Sequence, residues 1–213
     1  MNEYEKNNQQ EKLGKYFVVS DATINSVLAK QKSTPPDSPE RKERIGELLV
    51  KSGQLTPEEL ENALMKQRAH RLSQCSIFST LSTPELFALS KVFTEVNFPA
   101  HETFIMEGEH DPSLFIIASG LVEVFRINNS GGKIPIAKVG SGETIGEMGY
   151  FADGIRSSYV CTLKKTYLLQ AQYKDMTKYF ENAPKVAIAF SGIIQRRKEE
   201  TEKRMVAAKK QQS

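Results

Sequence analysis

The stretch Gly142-Glu143-Thr144-Ile145-Gly146-Glu147-Met148-Gly149-Tyr150-Phe151, followed by Asp153-Gly154-Ile155-Arg156-Ser157-Ser158, decides the reading of this chain. Its glycines let backbone N–H groups approach an anion closely. Glu147 and Arg156 stand on one short segment with complementary chemistry. An arginine presents a planar fork of donors that matches two phosphate oxygens. A carboxylate only accepts, which suits a sugar hydroxyl. Ser157 and Ser158 add hydroxyls beside the arginine.

Working outward, short β-rich runs surround this stretch: Glu95–Phe98, Thr103–Met106, Leu114–Ala118, Leu121–Ile127, Ile134–Val139, Ser158–Thr162 and Thr166–Ala171. Between them lie Ser119-Gly120, Asn128-Asn129-Ser130-Gly131-Gly132 and Gly140-Ser141-Gly142, all turn signals. Short strands at this spacing predict an antiparallel barrel or jelly roll. Before them, Ser82-Thr83-Pro84-Glu85 signals a helix start, with Leu86, Leu89 and Phe93 on one face. Beyond residue 172 the apolar period turns helical. Pro184 starts a long last helix with Phe190, Ile193, Ile194 and Arg197 on or near one side.

The N-terminal third reads differently. Residues 1–11 are a polar lead expected to be disordered, and residues 12–70 a small helical domain. Two degenerate helix-turn-helix repeats build it, with a proline-rich linker over 32–43 between them. One copy runs from Leu13-Gly14 through Ile24, Val27, Leu28 and Gln31. The other runs from Ile45-Gly46 through Leu60, Ala63, Leu64 and Gln67. In the second copy Gly53 stops the first helix and Thr56-Pro57-Glu58-Glu59 caps the next.

Composition narrows the function classes. The chain has 213 residues, 39% hydrophobic and 26% charged, an ordinary globular balance with room for one or two domains. A net charge of +3 gives no electrostatic footprint for nucleic acid. Cys75 and Cys161 lie far apart and outside any metal-ligand spacing, which fits a reducing compartment. His70, His101 and His110 pair with no suitably spaced nucleophile or ligand set. No apolar run approaches the roughly 20 residues of a membrane span. The expectations are therefore no enzyme activity, no catalytic residues, no metal, no membrane insertion and a cytoplasmic location.

The cassette Gly146-Glu147-Met148-Gly149-Tyr150 followed by Arg156-Ser157-Ser158 resembles the phosphate-binding cassette of the cyclic-nucleotide-binding domain family, over about residues 76–205. The resemblance implies a ligand site at Gly146, Glu147, Met148, Gly149, Arg156, Ser157 and Ser158. Glu147 would accept the ribose 2′-hydroxyl, and Arg156 would hold the cyclic phosphate, helped by Ser157 and by backbone N–H groups near Met148 and Gly149. On the last helix, Thr201 falls where bacterial catabolite-activator-like members contact the base, although the serine that follows in the family is Glu202 here. The N-terminal repeat, through Arg44-Ile45-Gly46-x-x-Leu49-x-x-x-Gly53-x-Leu55, resembles the N-terminal domain of type II secretion and type IV pilus assembly ATPases.

The expected fold is α+β: an antiparallel β-barrel or jelly roll with flanking helices and a long C-terminal helix, preceded by a small all-α domain. The second domain spans 73–213, with its barrel at about 94–171 and its C-terminal helices at 173–211. The expected function is a signalling adaptor that binds cyclic AMP, with cyclic GMP the other candidate ligand, needs no cofactor and acts on an effector protein such as a secretion, pilus or motility component. The rival functions are a nucleotide-independent docking subunit of such an assembly and a cyclic di-GMP-responsive adaptor. A homodimer through the last helix is one assembly the spacing allows. Because few residues follow Thr201, no DNA partner is expected.

Overall fold

The structure is a computed structural model that describes residues 13–35, 38 and 43–210. The expected polar lead and half of the 32–43 linker lie outside those residues. Among the part that is described, residues 32 and 33 are helical, as the end of α1 (Asp21–Ser33). The chain divides into two compact units, one ending at Ala69 and one beginning at His70.

In the first unit α1 is followed by α2 (Ile45–Lys51) and α3 (Pro57–Ser73), which runs on past the division. Ahead of α1, Leu13–Tyr16 makes only a single 3-10 turn, so the first repeat lacks the leading helix expected of it. The second repeat follows its punctuation. Gly53 takes φ +71° after α2, and at the start of α3 the Glu59 N–H donates to Thr56 Oγ1 at 3.1 Å while the Thr56 N–H donates to Glu59 Oε2 at 2.8 Å. Phe17, Leu49, Leu55 and Ala63 form this unit's core.

In the second unit, α4 (Thr83–Ser90) opens on a capping box in which the Ser82 N–H donates to Glu85 Oε2 at 2.7 Å. Leu86, Leu89 and Phe93 are buried as the periodicity predicts. Eight strands follow: β1 (Thr94–Phe98), β2 (Thr103–Ile105), β3 (Ser113–Ser119), β4 (Leu121–Ile127), β5 (Lys133–Gly140), β6 (Thr144–Ile145), β7 (Tyr159–Thr162) and β8 (Thr166–Gln172). They form two antiparallel four-stranded sheets, ordered β1-β8-β3-β6 and β2-β7-β4-β5. Ile105, Phe115, Ile117, Val122, Val139, Ile145, Val160 and Leu168 fill the core of this jelly roll. β3 is a continuous apolar run because both its faces are buried: Phe115 and Ile117 join that core, and Leu114 and Ile116 on the opposite face are equally shielded. β5 closes the other sheet as an edge strand, a place that tolerates Pro135 and its missing N–H. The β4–β5 ladder slips there, pairing Val124 with Ala137 and Phe125 with Pro135.

After β8 come α5 (Tyr173–Asn182) and α6 (Pro184–Lys210). Pro184 lacks an N–H, so α5 ends before it and α6 begins with it. α6 packs on α5, on β5 and on the 3-10 turns at Ser76–Phe78 and Glu147–Phe151. Its buried face is Val186, Phe190, Ile194 and Thr201.

The tightest turn joins β3 to β4. Gly120 has φ +122°, and a Cβ there would lie 2.7 Å from Thr166 Cα in β8. That neighbour is backbone and cannot yield cheaply. Gly120→Ala is expected to cost about 2–4 kcal/mol of stability through backbone strain plus overpacking. Urea denaturation checks this, and an unchanged midpoint would contradict the close approach.

Candidate functional site

The cassette begins with a conformation only glycine adopts readily. Gly146 has φ +82° and ψ −4° and starts the 3-10 turn Glu147–Phe151. A Cβ on Gly146 would press on the Arg156 guanidinium and lie 3.0 Å from Ser113 O. A Cβ on Gly149 would lie 2.7 Å from Tyr173 Oη. Both glycines therefore clear space for side chains arriving from other elements.

Arg156 turns inward from the segment before β7 and is 3% exposed. Its Nη1 donates to Ser113 O at 2.8 Å, to Gly146 O at 3.1 Å and to Tyr173 Oη at 3.3 Å. Its Nη2 donates to Asp111 Oδ2 at 2.6 Å and to Ser113 Oγ at 3.0 Å. The guanidinium also lies over the Phe115 ring, 5.7 Å from its centre. Two backbone bonds fix the segment's register: Arg156 N–H to Glu109 O at 2.9 Å, and Gly108 N–H to Arg156 O at 2.8 Å. Arg156 Nε is buried and has no hydrogen-bond partner among the described residues.

Glu147 is 2% exposed. Its Oε1 accepts from Arg197 Nη1 at 2.8 Å, while its Oε2 is buried with no partner among the described residues. Arg197 comes from α6. Its Nη1 also donates to Thr144 O, and its Nη2 to Glu143 Oε2 at 2.9 Å. Burial works against the Arg197 charge, but Glu147 and Glu143 outweigh it and raise its pKa above the ordinary arginine value. Burial pushes the Tyr173 phenol up to about 12, only partly countered by the Arg156 charge. Tyr173 is thus a neutral hydroxyl that donates to Gly146 O.

The other residues of the expected site are placed as follows. Met148 is half-buried, and its sulfur accepts from Ser157 Oγ at 3.6 Å. Ser158 is buried just before β7. Thr201 is buried one turn beyond Arg197 and donates to Arg197 O at 2.8 Å, so its proton is already committed within α6. The cassette's residues and α6 therefore meet, but through Arg197 first. Arg197, Asp111, Ser113, Tyr173 and Glu143 were not among the residues expected from the sequence. A signal existed for Arg197, which interrupts the apolar stripe of the last helix one turn before Thr201. Asp111 and Ser113 carried none, because their role depends on a strand pairing the local pattern does not specify. Among the described residues no group of three or more His, Cys, Asp or Glu side chains could hold a metal, and no helix is long and apolar enough to cross a membrane.

An arginine with one open donor and a glutamate with one open acceptor, both buried on one glycine-rich loop, fit a ligand that presents an anion and a hydroxyl. Residues 95–183 match the family model of the cyclic nucleotide-binding domain. The cyclic AMP receptor protein of Thermus thermophilus is 27% identical over 126 residues, covering 59% of this chain and 58% of that protein. A CRP-like cAMP-activated global transcriptional regulator of Mycobacterium tuberculosis is 25% identical, covering 59% and 56%. The chain thus spans less than two thirds of the length of these relatives. Among solved structures, the Thermus thermophilus catabolite activator protein superposes with a TM-score of 0.57 at 26% identity, over 62% of each chain. The regulatory subunit of a cAMP-independent protein kinase A from Trypanosoma brucei, at 17% identity and TM-score 0.56, shares the fold.

These relatives correct one expectation. A chain similar to transcriptional regulators cannot be assigned a function without DNA, and the expectation of no DNA partner is withdrawn. It rested on a small net charge and on the short run after Thr201. Neither weighs against relatives that match over only part of their length. The family model begins at residue 95, so it does not extend to the N-terminal repeat or to that repeat's resemblance to secretion and pilus ATPase domains. Residues 95–183 carry a cyclic nucleotide-binding domain, with homologues among the CRP-like regulators.

Proposed function

We propose that the chain is a cyclic-AMP-sensing regulator without catalytic activity, working in the cytoplasm as an adaptor whose output is a change in how α6 packs. The observation that carries this reading is the pair of open polar atoms, Arg156 Nε and Glu147 Oε2, both buried and both on the cassette. A buried polar atom without a partner is costly, typically about 1–3 kcal/mol. A cyclic phosphate accepting from Arg156 and a ribose hydroxyl donating to Glu147 would relieve both. Asp111 already holds the Arg156 charge, so an incoming phosphate competes with a carboxylate that keeps the guanidinium oriented in its absence. Cyclic AMP is favoured over cyclic GMP because the relatives are named for cyclic AMP.

The coupling to α6 is direct. Arg197 binds the carboxylate that would receive the ribose, and Tyr150, on the same 3-10 turn, has its ring 5.3 Å from Tyr173, 5.9 Å from Phe180 and 5.4 Å from Phe190. A ligand shifts an equilibrium only through contacts that differ between two states. Both the Glu147 carboxylate and the turn that carries Tyr150 offer such contacts.

Isothermal titration should show saturable binding of cyclic AMP, with cyclic GMP weaker in competition. Arg156→Ala should weaken cyclic AMP about 30-fold or more, the cost of removing a buried charge-assisted contact. No heat with either nucleotide up to millimolar concentration would refute the reading and favour a nucleotide-independent docking role. In hydrogen exchange, saturating cyclic AMP should change protection across residues 186–207. Unchanged protection would mean that the output leaves by another element.

A further inference from the structure

The Arg197 guanidinium is shared between two carboxylates of unlike character. Glu147, with 3% of its side chain exposed, takes Nη1 at 2.8 Å; Glu143, with 51% exposed, takes Nη2 at 2.9 Å. A guanidinium is rigid and planar, so holding one terminal nitrogen fixes the direction of the other. Glu143 is a suitable anchor because its backbone is tied at both polar groups. Its carbonyl accepts from the Ile117 N–H at 2.9 Å, in the buried middle of β3, and its own N–H donates to Gly140 O at 3.2 Å. Its carboxylate therefore projects from a fixed point on the sheet, whereas Arg197 arrives on a helix. At the far side of the guanidinium, the contact with Glu147 Oε1 leaves Oε2 as that carboxylate's open acceptor.

We propose that Glu143 is a positioning residue of the nucleotide site. Acting through Arg197, it aims the open oxygen of Glu147 at the sugar hydroxyl and ties that aim to the docked state of α6. This rests on the cyclic-nucleotide reading and adds to it the residue that sets discrimination for the ribose. Half-exposed and outside the cassette core, Glu143 has no reason to touch the ligand. Its effect on the ligand passes through Arg197 and Glu147.

The test is titration of the full chain with cyclic AMP and with 2′-deoxy cyclic AMP, which lacks the hydroxyl. Wild type should prefer cyclic AMP. Glu143→Gln keeps the shape but loses the charge, and should cut that preference roughly 3- to 5-fold, the scale of a partly exposed ion pair. Glu143→Asp should recover part of it. Without ligand, Glu143→Gln should also raise hydrogen exchange around residues 195–201. Equal loss of affinity for both nucleotides, or an unaltered preference, would overturn the proposal. So would a wild type that binds both nucleotides equally, although nucleotide binding itself would then stand. If wild type binds neither, the cyclic-nucleotide reading falls and the proposal with it.

Discussion

Two opposite charges buried on one loop govern this structure. Glu147 and Arg156 are each almost completely removed from water. An ionised group in such a place costs several kcal/mol unless it is paired and hydrogen-bonded. The fold meets that demand separately for each. Arg156 is satisfied from β3 and the segment before it, through Ser113 and Asp111, and from the cassette's own Gly146 carbonyl. Glu147 is satisfied from the last helix, through Arg197. Neither is satisfied completely: Arg156 Nε and Glu147 Oε2 have no partner among the described residues, and the proposed function gives both atoms to the nucleotide.

This division gives the two charges different mechanical roles. The partners of Arg156 sit on or beside the jelly roll, whose strands are locked by a continuous apolar core. The Arg156 side of the site is therefore stiff. The partner of Glu147 sits on a helix of 27 residues whose buried apolar side chains, among the described residues, are Val186, Phe190 and Ile194 near its start. Beyond Ile194, the described hydrogen bonds that tie α6 to the cassette come from Arg197. A site built half on a sheet and half on a lightly held helix is suited to convert occupancy into helix movement.

Much of this was legible in the sequence. Seven of the eight strands follow from short alternating or continuous apolar runs, several of them bounded by glycine-rich turns. The exception, β6, is two residues inside the cassette, too short for any period to show. Capping residues located the starts of α3 and α4, and Pro184 located α6. The cassette was readable because glycine, glutamate and arginine each have a distinct physical reason to be there. Its supporting residues were not. Asp111 and Ser113 look like ordinary loop residues until β3 is paired with β8 and β6. Tyr173 reads as an unremarkable aromatic at a helix start until Gly149 makes room for its hydroxyl. Arg197 was missed because the resemblance draws attention to a different residue, one turn further along α6. Resemblance singled out Thr201, whereas the longer arginine side chain one turn earlier reaches the cassette.

The most direct measurement concerns Arg156 Nε, buried without a partner among the described residues. In nitrogen-15-labelled protein the Arg156 Nε–H resonance can be followed by NMR as cyclic AMP is added. If the guanidinium receives the cyclic phosphate, this resonance moves downfield and becomes protected from solvent exchange, in step with the fraction of site occupied. An Nε–H resonance that stays in place while cyclic AMP saturates the protein would show that the nucleotide binds elsewhere, and would contradict the assignment of the cassette as its site.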